Sequence, residues 1–277
     1  MLRKPLPVVS PLSSPDHPSP APVVRSTSLS EPFIVLPARR CQLMEEIGRG
    51  GAARIYRATD ENGRTIAVKV SSIADMGRLE ISWFFRSLEV ARALRQEHLL
   101  EIYDILLYPD QPPFLIMEYL VGTTLEKELF GPMGSPLPIE RALRIARQLC
   151  GAVAAGHAQG MVWRDLTSSN IFLVQREGRP DFVKLLDFEL VKMPGEMDDS
   201  MFSWGTPAYM APEQIHALAT DARTDVYALG CILYEMLTAC RVFMGLISRW
   251  TRPAVWTVCR ISQSWMVIST AVFQGRP

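Results

Sequence analysis

The sequence predicts an α+β protein with two parts, a small antiparallel sheet that carries one helix and a larger, mainly helical part. Three observations support this class. Short apolar runs separated by turns fill residues 41–121, one segment of helical spacing interrupts them, and long helical segments dominate residues 122–243.

The first part consists of a predicted hairpin, a helix and two further strands. The segment 61–63 ("ENG") has the composition of a tight turn between the runs "RIYRAT" and "TIAVKV". Helical spacing follows over residues 79–96, and "LLEIYDILLY" and "PFLIMEYL" return to strand-like runs. Together these runs predict a small antiparallel sheet with one helix inserted between its strands.

Two long helices are predicted in the second part. Residues 138–160 place apolar side chains on one stripe, and Gly160 is a plausible stop for that helix. Residues 225–239 are apolar on nearly all sides, which is typical of a helix buried at the centre of a domain.

The composition is that of a soluble globular protein, with 48% hydrophobic and 21% charged residues in a chain of 277. Its 29 basic and 29 acidic residues balance, so charge indicates no nucleic-acid or membrane-surface partner. No membrane span is predicted, because the most apolar long run, residues 254–273, contains Arg260. Five scattered cysteines indicate reduced thiols, and we expect a cytoplasmic protein. The sequence indicates no oligomeric state.

The two ends differ from the rest of the chain. Residues 1–40 are rich in proline and serine, which predicts a disordered leader. Residues 244–277 contain no Asp, Glu or Lys and carry three of the six tryptophans, so we interpret them as an atypical tail. Two explanations stay open for this tail, a truncated or frame-altered end and a genuine divergent one.

A glycine cluster and a lysine are the first candidates for chemistry. Gly48, Gly50 and Gly51 lie in a turn between two predicted strands, where backbone N–H groups can close over phosphates. Turns attract glycine for other reasons as well, so the cluster alone is weak. Lys69 lies in an apolar strand, from which it could reach the same phosphates or snorkel from a sheet edge.

A second group of candidates begins with "RDLTSSN". Asp165 and Asn170 are spaced so that a carboxylate can meet a nucleophile while an amide oxygen binds a metal ion. Asp187 follows at the end of the apolar strand "VKLL". Carboxylate and amide oxygens are hard ligands that suit Mg²⁺, usually beside substrate phosphates.

These motifs, in this order, resemble the eukaryotic-like protein kinases, and in particular their bacterial serine/threonine branch. The resemblance covers roughly residues 41–243 and implies a bilobal protein kinase fold, with an N-lobe over 41–121 and a partial C-lobe over 122–243. It implies Lys69, Asp165 and Asn170 as catalytic residues, and Asn170 and Asp187 as metal ligands. For ATP it implies a site formed by Ile47, Gly48, Gly50, Gly51, Ile55, Ala67, Lys69, Glu89, Met117, Glu118 and Leu120.

The function implied is a serine/threonine protein kinase that transfers the γ-phosphoryl group of ATP, with Mg²⁺, to Ser or Thr hydroxyls of proteins. Protein substrates are implied by "GTPAYMAPEQ" (205–214), which resembles the segment that seats the substrate peptide. The alternative is a catalytically weak or inactive pseudokinase that acts as a nucleotide-binding or scaffolding module.

Several positions depart from the family pattern. Trp163 stands in place of a bracing histidine, Thr167 in place of a lysine near the γ-phosphate, and Glu189 in place of the glycine after Asp187-Phe188. Loss of the lysine charge could slow turnover by about 100-fold if nothing compensates.

Two further expectations concern glutamates. The helix glutamate expected to pair with Lys69 is Glu89, while a second alignment places Ser87 there. A shortened C-lobe predicts that Glu213 lacks its usual arginine partner and is left unpaired.

Overall fold

The computed structural model describes residues 35–36, 39–49, 53–71, 78–106, 113–188, 191–192 and 206–243. A two-residue ladder joins β1 (Val35–Leu36) to β2 (Arg39–Arg40). This ladder lies inside the predicted disordered leader, which is therefore corrected for these residues. Residues 1–34 and the predicted tail 244–277 lie outside the described residues.

The first part contains an antiparallel sheet of five strands in the order β3-β4-β5-β7-β6. Its strands are β3 (Gln42–Arg49), β4 (Ala53–Thr59), β5 (Thr65–Ser71), β6 (Ile102–Leu106) and β7 (Phe114–Glu118). The predicted hairpin turn joins β4 to β5. There Asp60 Oδ1 accepts from the backbone N–H groups of Asn62 and Arg64, and Gly63 takes a φ of 77°.

One helix, α1 (Arg78–Ala93), is inserted between β5 and β6, as the sequence predicts. Leu88 and Ala91 lie on its buried face and join the main apolar core. The connection after α1 is tied to the second part, because Leu185 donates its N–H to His98 O at 2.8 Å and accepts from Leu100 N at 3.0 Å. The end of the strand that carries Leu185 thereby lies against the N-lobe.

The second part is mainly helical and contains one small sheet. Its helices are α2 (Leu125–Phe130), α3 (Ile139–His157), α4 (Pro212–Ile215) and α5 (Ala222–Thr238). The small sheet has the order β10-β9-β8, from β8 (Gly122–Thr124), β9 (Ile171–Arg176) and β10 (Arg179–Leu185). The bilobal fold predicted from the sequence is confirmed.

Helix α5 is the buried centre of the second part. Ala228, Cys231, Ile232 and Met236 are at most 4% exposed and pack in the same core as the apolar face of α3. One side of α5 faces solvent, where Tyr234 and Leu237 are 39% and 40% exposed, but the polar residues on its buried sides, near both ends, must find partners inside the protein. Several of these partners belong to the candidate active site.

Two predictions about the chain as a whole can be compared with the described residues. No helix in the described part of the chain is long and apolar enough to span a membrane. Four of the five cysteines are described, and none of these four is in a disulfide: Cys41, Cys150, Cys231 and Cys240.

Candidate active site

A cavity of about 470 Å³ lies between the five-stranded sheet and the second part, within the usual size range of small-molecule sites. Strands β3, β4 and β5 form one wall, the segment after β7 forms the back, and the turn before β9 and the end of β10 form the other wall. The predicted residues that line it are Ile47, Gly48, Ile55, Ala67, Lys69, Met117, Glu118, Leu120, Asn170 and Asp187. Gly50, Gly51 and Glu189 lie outside the described residues.

Lys69 projects into this cavity from a central strand. It pairs with Ile55 of β4 on one side and with Leu115 of β7 on the other, so the alternative of an edge lysine is wrong. Its Nζ lies 3.9 Å from Asp187 Oδ2, and its side chain is 15% exposed. The ammonium group is therefore directed across the cavity toward the opposite wall.

Asn170 and Asp187 are brought together by one pair of strands. Ile171 of β9 pairs with Leu185 of β10, and Leu186 N donates to Asn170 O at 2.9 Å, so both residues leave the ladder at the same end. Asn170 Nδ2 donates to Asp165 O at 3.2 Å, which leaves the amide oxygen to bind a metal ion.

This pair suits a divalent cation that is shared with a ligand. The described residues contain no group of three or more His, Cys, Asp or Glu that could enclose a metal by themselves. Mg²⁺ is commonly held by one or two side-chain oxygens together with substrate phosphates and water. Asn170 and Asp187, at the rim of a cavity that also holds a lysine, fit that pattern of binding.

Asp165 lies below the cavity, in contact with the segment before α4. Its Oδ1 accepts from Thr206 N at 2.7 Å and from Thr206 Oγ1 at 2.8 Å. Burial raises the pKa of Asp165 above its ordinary value, the two bonds from Thr206 lower it, and the nearby charge of Asp187 raises it further; the net shift is upward. Asp165 is thus a carboxylate of increased basicity in a fixed orientation.

The backbone before Asp165 is held by a buried carboxylate on α5. Asp225, 1% exposed, accepts from Trp163 N at 3.0 Å and Arg164 N at 2.9 Å. His157 Nε2 lies 2.7 Å from the same Asp225 Oδ2 that binds Trp163. Arg164 itself has a φ of 65°, a strained value for a side chain of this size. Three hydrogen bonds to one carboxylate over-determine this conformation.

Thr167 does not line the cavity and has a structural role instead. Its side chain is buried and caps the 3₁₀ turn Ser168–Asn170, because Oγ1 accepts from Asn170 N at 3.3 Å and lies 2.8 Å from Ser169 Oγ. The threonine therefore supplies no charge to the cavity, but it stabilises the turn that carries Asn170.

Ser168 extends this bracing toward α5. Its Oγ lies 2.8 Å from Tyr209 Oη, and Tyr209 donates to Glu235 Oε2 at 3.0 Å. Burial raises the pKa of Glu235, although hydrogen bonds from Tyr209 and Ser168 oppose the shift. The buried chain of three residues joins the catalytic turn, the 206–212 segment and the central helix.

Glu89 requires a correction. Its side chain is 62% exposed, and the carboxylate lies 3.9 Å from Arg92 on the same helix, outside the cavity. In this arrangement α1 turns Leu88 toward the cavity instead. The alternative residue, Ser87, is buried and donates to Val191 O at 3.0 Å. The predicted pairing of Glu89 with Lys69 is therefore not formed in this structure.

Glu213 has a neutral hydrogen-bond partner in place of the arginine that the resemblance implies, so only the prediction that it is left without any partner is wrong. Thr224 Oγ1, at the start of α5, donates to Glu213 Oε1 at 2.7 Å. The neighbouring Gln214 is bonded as well, since its Nε2 donates to Arg164 O at 2.8 Å. Helix α4 is thus attached to both α5 and the loop that contains Asp165.

An ion pair below the back of the cavity was not predicted from the sequence. Lys184 Nζ lies 2.5 Å from Glu118 Oε1 and donates to Leu99 O at 2.9 Å. Both side chains are largely buried, at 7% and 13% exposure. Lys184 lies on β10, three residues before Asp187, so the pair connects the end of β7 to the strand that precedes a predicted metal ligand. A lysine in the apolar run "VKLL" was the available signal.

Comparison with known proteins agrees with this geometry. The model of the protein kinase domain family matches residues 41–260 of the chain. Serine/threonine-protein kinase Pkn1 of Myxococcus xanthus is 35% identical over 227 residues, which is 80% of this chain and 32% of that protein.

Two further relatives show the same relation. Serine/threonine-protein kinase A of a Synechocystis strain is 36% identical over 215 residues, 73% of this chain and 41% of that protein. Serine/threonine-protein kinase PknB of Mycolicibacterium smegmatis is 33% identical over 216 residues, 74% of this chain and 33% of that protein. The chain thus spans less than half the length of these relatives.

Proposed function

Because the chain belongs to the protein kinase family, we propose that it transfers the γ-phosphoryl group of ATP to serine or threonine hydroxyls of proteins. The single observation that carries the proposal is the convergence of Lys69, Asn170 and Asp187 on one cavity, with Asp165 fixed below it. The relatives' names, which all specify serine/threonine-protein kinases, support the same class of acceptor.

The proposed mechanism follows from the positions of these side chains. Asp165 accepts the proton of the acceptor hydroxyl, whose oxygen forms a bond to the γ-phosphorus while the bond to the bridging oxygen of ADP breaks. The raised pKa of Asp165 strengthens it as a base, and Thr206 orients it. Lys69 neutralises phosphate charge from the opposite wall. A Mg²⁺ ion on Asn170 and Asp187 would supply further charge neutralisation.

The nucleotide would occupy the cavity with its base at the back. Ala67, Met117 and Leu120 give that region an apolar lining, and the strand end at Glu118 offers backbone groups to a purine. The ion pair of Glu118 with Lys184 holds this segment in place. The protein substrate would bind beside Asp165, near the 206–212 segment. Since none of the four described cysteines is in a disulfide, we also propose a cytoplasmic location.

Phosphoryl transfer is the direct test. The full chain is incubated with Mg-ATP and a generic serine/threonine protein substrate, beside Asp165→Asn and Asp221→Asn. Asp221 is half exposed at the start of α5 and is a matched control for the loss of one carboxylate. We expect transfer by the wild type and by Asp221→Asn, and a loss of at least about 100-fold in Asp165→Asn. Equal signals in all three proteins would refute the proposal.

A nucleotide-binding module with little turnover is the second candidate. The exposed position of Glu89 and the capping role of Thr167 favour it, because Glu89 does not reach Lys69 and position 167 carries no cation toward the phosphates. Mg-ADP would then raise the Tm of the wild type but not of Asp187→Asn, while no phosphoryl transfer is measured. Transfer above the Asp165→Asn level would exclude this candidate.

A further inference from the structure

Trp163 and Gly156 are in contact near the end of α3. A Cβ added to Gly156 would lie 1.9 Å from Trp163 Cη2 and 2.1 Å from Cζ3, distances that non-bonded carbons cannot adopt. Trp163 is 2% exposed, and close-packed surroundings leave the indole nowhere to move. With a tryptophan at 163, position 156 therefore accepts glycine alone.

The indole is held by packing and not by a side-chain hydrogen bond. Its Nε1 is buried and has no hydrogen-bond partner among the described residues. The ring meets the His157 ring edge-on, with centroids 6.1 Å apart and planes at 69°. The backbone of the same residue is bonded to Asp225, and Asp165 follows two residues later. A displacement of the indole would therefore be transmitted to the loop that carries Asp165.

We propose that Gly156 and Trp163 are a matched pair that positions the Asp165 carboxylate, with Trp163 as a positioning residue and Gly156 as the residue that makes room for it. The inference rests on the proposed phosphoryl transfer. Cη2 and Cζ3 belong to the six-membered ring of tryptophan, which histidine lacks, so the family's usual histidine would not require glycine at 156. The two positions are consequently coupled.

A double-mutant cycle tests the pair, using the full chain as wild type, Gly156→Ala, Trp163→His and the double variant. Gly151→Ala is the matched control, because it lies in the same helix and a Cβ there meets nothing within 4 Å. We expect Gly156→Ala alone to lower kcat about 100-fold while the KM for ATP changes less than about threefold, since the loop moves but the sheet and the segment after β7, which form the rest of the cavity, do not. Gly151→Ala should leave both constants unchanged.

The coupling is the decisive result. In the Trp163→His background, Gly156→Ala should raise kcat, because its methyl group fills space that the indole leaves. This comparison holds even if Gly156→Ala alone fails to fold. Equal effects of Gly156→Ala in both backgrounds would overturn the proposal. A lower Tm with unchanged kcat in Gly156→Ala would also overturn it, because the contact would then contribute to packing alone.

A readout without turnover separates this inference from the proposed function. Asn170 lies on the same loop, so the Mg²⁺-dependent part of the Tm increase caused by ADP should shrink in Gly156→Ala and return in the double variant. If the wild type transfers no phosphoryl group, the proposed function fails, and this thermal measurement alone decides the pair. An unchanged Mg²⁺-dependent increase in Gly156→Ala would overturn it.

Discussion

The carboxylate of Asp225 offers the sharpest prediction about the loop that contains Asp165. It accepts from Arg164 N through Oδ1, and Trp163 N and His157 Nε2 both lie against Oδ2. In Asp225→Asn one oxygen becomes an amide NH₂ group. The best arrangement keeps the amide oxygen at the position of Oδ2, where it still accepts from Trp163 N and His157 Nε2. The N–H of Arg164 then faces another donor.

The magnitude follows from this count. One buried donor without a partner costs about 1–3 kcal/mol, and loss of charge assistance on the two remaining bonds adds roughly 1 kcal/mol. The total of about 2–4 kcal/mol corresponds to a Tm decrease of roughly 5–15 °C for a domain of this size. Displacement of the loop should also lower kcat about 10- to 100-fold.

Thermal melts and initial rates measure both effects. Asp221→Asn is the control on the same helix, because Asp221 caps its N-terminus through a bond to Arg223 N, and asparagine caps helices equally well. Its Tm should stay close to that of the wild type. Equal decreases for Asp225→Asn and Asp221→Asn would refute the reasoning, since burial and bond count would then have no influence.

Three further predictions concern charged groups of the site. Asp165→Asn should raise the Tm at pH 7. Because the pKa of Asp165 is raised in the folded state, ionisation of this carboxyl lowers the stability of the protein as the pH rises above the ordinary pKa of 3.8. In melts at several pH values, the gain in Tm should vanish below pH 3.8. Thr206→Val should move the acidic limb of the kcat/KM profile to higher pH, since the ionised Asp165 loses one donor; an unmoved limb would contradict this. Lys184→Met should destabilise the chain by about 3–5 kcal/mol in denaturant melts, because the largely buried Glu118 loses its cation, and Glu118→Gln in the same chain should recover most of that loss.

Much of the candidate site could be predicted because it depends on residue type and order. A lysine within an apolar strand, the Asp165–Asn170 spacing and an aspartate after "VKLL" are local patterns, and the structure brings Lys69, Asn170 and Asp187 to one cavity. The hairpin at 61–63 follows from local turn chemistry in the same way. Strand pairing then brings these residues close together in the fold.

The failures concern the orientation of whole elements. Helical spacing predicts that α1 exists, but the side of α1 that faces the cavity depends on packing against the rest of the protein. Glu89 and Leu88 are adjacent, and a modest rotation of the helix decides which of them faces Lys69. The sequence likewise predicts that Glu213 lacks an arginine partner, but it does not predict the hydrogen bond from Thr224 that the fold provides. Neither the rotation of α1 nor the contact of Glu213 with Thr224 can be deduced from residues that are close in the sequence.

The sequence alone determined the two-part α+β class, the family, and the side chains available for phosphate and metal binding, because these follow from residue types at short spacing. Only the tertiary structure decided which groups brace that chemistry. Thr206 and Asp165 are 41 residues apart, Lys184 and Glu118 are separated by the whole helix α3, and Gly156 meets Trp163 across a turn. Such contacts arise when the core closes around α5, and burial then obliges each polar group to find a partner and each ring to find space.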